Sequence, residues 1–182
     1  MSTEYDIRVE HAFRVEDLRA AAEEAMRRIL PSVGAVSLRV TSSDLAFHNH
    51  YGEAPDVPAE FLASVHGNGS PLVPEYLLAT PDGEAVAEVS ELDFGAYDDP
   101  DGGRRLLVSR DYYRRPTSRL LGIAVAVAAA ELTGSPVVDE YKVLTGQRLA
   151  SPEDIVSRLR DDSTGPSLDE AARTTLSKAG IT

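Results

Sequence analysis

The chain contains no cysteine. Disulfides, cysteine-ligated zinc and thiol catalysis are therefore excluded. Lysine is nearly absent: Lys142 and Lys178 are the only two, against sixteen arginines. Basic residues are outnumbered altogether, with 18 Lys and Arg facing 30 Asp and Glu for a net charge of −12. That balance argues against non-specific DNA or RNA binding, because phosphate contacts need clustered Lys and Arg. No apolar stretch reaches the ~20 residues that a helix needs to span a bilayer. The start, MSTEYDIRVEH, carries no basic-then-apolar leader, so the expected compartment is the cytoplasm unless a dedicated secretion route applies. No Walker loop, dinucleotide Gly-rich turn, nucleophile elbow or His-Glu-x-x-His motif is present. Internal repeats and low-complexity tracts are also missing.

What is present is enough apolar material for a core. Of 182 residues, 42% are hydrophobic. This fits one α+β domain over residues 1–182, since either half alone would bury too little surface. Residues 52–74 are the only candidate for an internal boundary. The centre of the chain is Thr117 to Val143. Leu120, Leu121, Ile123, Val125, Val127 and Leu132, with alanine at most other positions, predict a helix of about 15 residues with no polar face, which must be covered on several sides. Pro116 precedes it, and Thr117 or Ser118 is expected to cap it. Gly134 in a left-handed conformation and Pro136 after it should end it. Val137 to Val143 then predicts a strand.

Tyr5, Ile7, Val9, His11 and Phe13 alternate and predict a first strand. Residues 15–30 have helical spacing, acids at the start and Arg27 and Arg28 at the end, as the helix dipole favours. Val36, Leu38 and Val40 predict a second strand, Ser42-Ser43-Asp44 a turn, and Leu45, Phe47 and Tyr51 a third strand. After a loop at 52–58, Ala59 to His66 reads as a short helix. Tyr76 to Thr80 and Ala85 to Phe94 read as a hairpin around Pro81-Asp82-Gly83, and Arg104 to Tyr112 as a further strand. Ser151-Pro152-Glu153-Asp154 starts one terminal helix. Ser167-Leu168-Asp169-Glu170 starts another, which Gly180 ends. A polar, mobile linker is expected at 161–166. The expected fold is thus α+β, a mostly antiparallel sheet with a buried central helix and C-terminal helices.

Four groups of residues could carry function. Asp56 in the loop 52–58, with Asp98, Asp99 and Asp101 in the turn 95–103, would offer acidic contact points. A calcium loop is disfavoured in that turn, because no closing Glu follows and the chain runs into Arg104 and Arg105. Arg110, Tyr112, Tyr113, Arg114 and Arg115 form a basic, aromatic cluster of a type favoured at interfaces and able to take an anion. The same arginines could simply pair with the chain's carboxylates. His48 and His50 would share one face of a strand. They are the candidate metal ligands, with Glu53 or His66, or else an ordinary surface pair. Their His-x-His is similar to the opening of the cupin motif, but the spacing to Glu53 is short and the later motif is missing. Glu140-Tyr141-Lys142 resembles the Glu-x-Lys of restriction-endonuclease-like nucleases, except that it follows the central helix where that family places it before.

The run LLGIAVAVAAAELTGSPVVDE, Leu120 to Glu140, resembles a pattern in small bacterial immunity proteins of toxin systems and related uncharacterised α+β proteins. In those an Ala/Leu-rich helix ends in Gly and passes into a Val-Val-Asp strand. The resemblance covers about 25 residues and carries over no functional positions. It implies a non-enzymatic protein that neutralises a toxin by direct binding, without a cofactor. The expected partner is basic, since an acidic surface would complement it and speed encounter. The alternatives are a metal-dependent enzyme using His48 and His50, and a small-molecule-binding domain with the cluster Arg110 to Arg115 at its mouth.

Overall fold

The computed structural model describes residues 4–9, 13–42, 75–93, 103–109, 115–162 and 167–181. The described strands are β1 (Glu4–Val9), β2 (Arg39–Ser42), β3 (Glu75–Ala79), β4 (Val86–Asp93), β5 (Arg104–Ser109), β6 (Val137–Val138) and β7 (Leu149–Ala150). The described helices are α1 (Val15–Ile29), α2 (Pro116–Thr133), α3 (Pro152–Leu159) and α4 (Leu168–Lys178). The strands form one sheet in the order β2-β3-β4-β5-β1-β6-β7. Every pairing is antiparallel. The fold is α+β, as the sequence pattern predicts.

Strand alternation builds the inner face of the sheet. Tyr5, Ile7, Tyr76, Leu78, Ala87, Val89, Leu106 and Val108 are buried, while Asp6, Glu88, Ser90 and Leu107 between them are only half-buried. α2 lies against β1, β4, β5 and β6 and is covered on its other sides by α1, α3 and α4. A helix in that position has no solvent side, which is why its sequence carries no polar stripe. Leu120 to Ala129 are all fully buried. The alanines among them let the flanking layers approach closely. No described helix is long and apolar enough to cross a membrane.

The helix ends follow local chemistry. Asp17 accepts the backbone N–H of Arg14 at 3.3 Å and its guanidinium at 2.8 Å, fastening the start of α1. Ser151 and Ser167 each accept an N–H three residues on, from Asp154 at 3.1 Å and Glu170 at 3.3 Å. Gly134 closes α2 at φ 70°.

Six expectations need correction. Thr117 and Ser118 do not cap α2, whose N-cap is Arg115 with Pro116 as the first helical residue. Their hydroxyls face the β3–β4 hairpin: Thr117 donates to the Glu84 carbonyl at 2.7 Å, and Ser118 accepts the Val86 N–H at 3.0 Å. β2 begins at Arg39 and not at Val36, because β3 ends opposite Arg39 at Ala79. The Leu38 N–H goes instead to the Glu23 carboxylate of α1 at 2.8 Å. Ser42 is the last residue of β2, paired with Tyr76, and is not part of a turn.

The strand after α2 is two residues long, so Glu140, Tyr141 and Lys142 lie in a turn. The buried Asp139 carboxylate causes this by accepting the N–H groups of Tyr141 at 3.2 Å and Leu144 at 2.7 Å. Lys142 takes φ 56° there. The turn returns through β7, which pairs Val138 with Leu149.

Asp161 is buried, not part of a mobile linker. Its N–H donates to the Ile29 carbonyl at 2.9 Å. Its two carboxylate oxygens take the Lys178 ammonium at 2.9 Å each, and Thr175 approaches one of them at 3.4 Å. Phe13, expected at the end of the first strand, lies outside β1 and directly precedes the α1 N-cap Arg14. The third expected strand (Leu45, Phe47, Tyr51), the short helix at 59–66 and parts of the ends of three strands (at His11, Phe94 and Tyr112) fall outside the described residues.

Candidate functional site

The acidic candidates Asp56, Asp98, Asp99 and Asp101, the basic and aromatic candidates Arg110, Tyr112, Tyr113 and Arg114, and His48 and His50 all lie outside the described residues. What is described is where the chain enters and leaves each of these segments. Residues 43–74 connect β2 to β3, and residues 94–103 connect β4 to β5. The register sets the direction of both. β2 runs from Arg39 to Ser42 alongside β3 from Ala79 back to Tyr76. β4 ends at Asp93 opposite Arg104, where β5 begins. Both connections are therefore attached to strand ends that face one end of the sheet.

The segment 110–114 leaves from Ser109, at the other end of β5, about 17 Å from Arg104 at ~3.4 Å per residue. That end also carries the hairpin tip between β3 and β4. Arg115, where the chain resumes, donates to Glu84 of this tip at 3.2 Å. The expectation that arginines here pair with the chain's own carboxylates holds for this residue. Next to it, Asp82 accepts the Thr80 hydroxyl at 2.6 Å and the Glu84 N–H at 3.1 Å. The Thr80 hydroxyl, and then that N–H, hold the Asp82 carboxyl below the usual carboxylate range.

The two connections at the first end are acidic. Residues 43–74 contain Asp44, Glu53, Asp56 and Glu60, and residues 94–103 contain Asp98, Asp99 and Asp101; neither stretch has a Lys or Arg. The arginines of the described chain are largely engaged within it. Arg28 meets Glu131 at 2.6 Å, Arg105 meets Asp6 at 2.7 Å, Arg148 meets Glu140 at 2.6 Å and Arg173 meets Asp169 at 2.8 Å. Arg158 donates to the carbonyls of Leu144 and Ala179 at 2.8 and 2.7 Å.

The nuclease-like reading of Glu140 and Lys142 loses its strand. Glu140 is committed to Arg148 in an exposed pair, and both Asp139 oxygens are used by backbone N–H groups. Among the described residues, no group of three or more His, Asp or Glu is placed to hold a metal ion. The structural role of Asp139 was not read from the sequence. The signal for it is an Asp directly after Val-Val, where a short carboxylate can collect the amides of a following turn.

Comparison with protein-family models, with curated proteins and with solved structures finds no match.

Proposed function

We propose that this chain is an acidic, non-enzymatic interaction protein that binds a basic protein through the acid-rich end of its sheet. In this reading it acts in the cytoplasm as a single domain. It works as an immunity protein does, neutralising a toxin by direct contact. One observation carries the reading. Two connections holding seven acids and no Lys or Arg are attached at one end of the sheet, while the basic cluster is attached at the other. Most described arginines already pair within the chain, so the acid excess is not cancelled by them. An excess of one sign on one end steers an oppositely charged partner and raises its encounter rate.

The test is capture on the immobilised chain from native cell lysate at low ionic strength, with salt elution and mass spectrometry. The expected result is a stoichiometric basic protein that elutes with salt. The combined variant Asp56→Lys, Asp98→Lys, Asp99→Lys and Asp101→Lys should then weaken the purified pair at least about tenfold at low salt, with a smaller loss at high salt. Affinity indifferent to these reversals would overturn the acidic surface. Recovery of no basic partner, together with a chain that carries bound metal or a small molecule, would overturn the interaction reading.

A further inference from the structure

We draw no further inference here: the strongest candidate, the turn between β6 and β7 with its exposed Tyr141 and Leu149 at an open sheet edge, carries nothing because nothing in the structure shows what covers it.

Discussion

Gly134 and Asp139 show how much a single position can set. Gly134 ends α2 at φ 70°, and a Cβ there would meet nothing within 4 Å. Gly134→Ala therefore tests the backbone conformation without a steric clash. It should cost about 1 kcal/mol, the penalty of a left-handed conformation for a residue with a side chain, measured as a lower urea midpoint with an unchanged slope. Asp139 is the more demanding position, because each of its oxygens serves a different amide. Asp139→Asn keeps the shape but turns one acceptor into a donor facing an N–H. The expected loss is about 1–3 kcal/mol, the cost of leaving a buried polar group unsatisfied. A variant as stable as the parent would mean that the turn does not depend on the carboxylate.

At the scale of elements, α2 is the piece around which the others pack, and its N-terminus is also a fastening for the β3–β4 hairpin. Ser118→Ala removes the acceptor of the Val86 N–H. Amide hydrogen exchange should speed up at Val86 while the first-turn amides of α2 stay as they were. Faster exchange in that first turn alone would restore the capping role that the sequence suggests. In the middle of α2, Leu121 is fully buried. Leu121→Ala should cost ~2–5 kcal/mol through lost burial and the cavity left behind, read from the same urea unfolding. The helix itself, its Gly134 stop and the two Ser-capped terminal helices were legible in the sequence, because each rests on contacts within a few residues. The short β6–β7 pair was not. Val137 to Val143 has strand composition, but Asp139 captures two amides there and the chain turns.

For the whole molecule, acidity has two opposing consequences. A net charge of −12 repels itself, yet particular carboxylates are stabilised by their partners. The carboxyls of Glu16, Asp17, Glu24 and Asp82 are held below the usual range, chiefly by hydrogen bonds from Arg19, Arg14, Arg27 and Thr80. Depressed folded-state values add stability above the unfolded-state pKa, and that stability is lost as pH falls through the folded values. Urea midpoints should therefore hold from pH 7 to about 5 and fall below about pH 4. These pairs are largely exposed, so each contributes little and the decline should be gradual. A rise in stability below pH 4 would show that relief of the overall repulsion outweighs the pairs.

By itself the sequence determined the α+β class, the all-round burial of the central helix with its Gly134 stop, and the Ser caps of α3 and α4. It also determined the acidic character of the segments 43–74 and 94–103. Those features follow from periodicity, from short-range hydrogen bonding and from simple charge. Only the tertiary structure decided that Thr117 and Ser118 serve a hairpin, that Asp161 pairs with Lys178 seventeen residues on, and that both acidic segments are attached at one end of the sheet. Each depends on partners distant in the chain. A hydroxyl or carboxylate carries no mark of which distant group the fold will bring to it, and strand direction is settled only when the register forms.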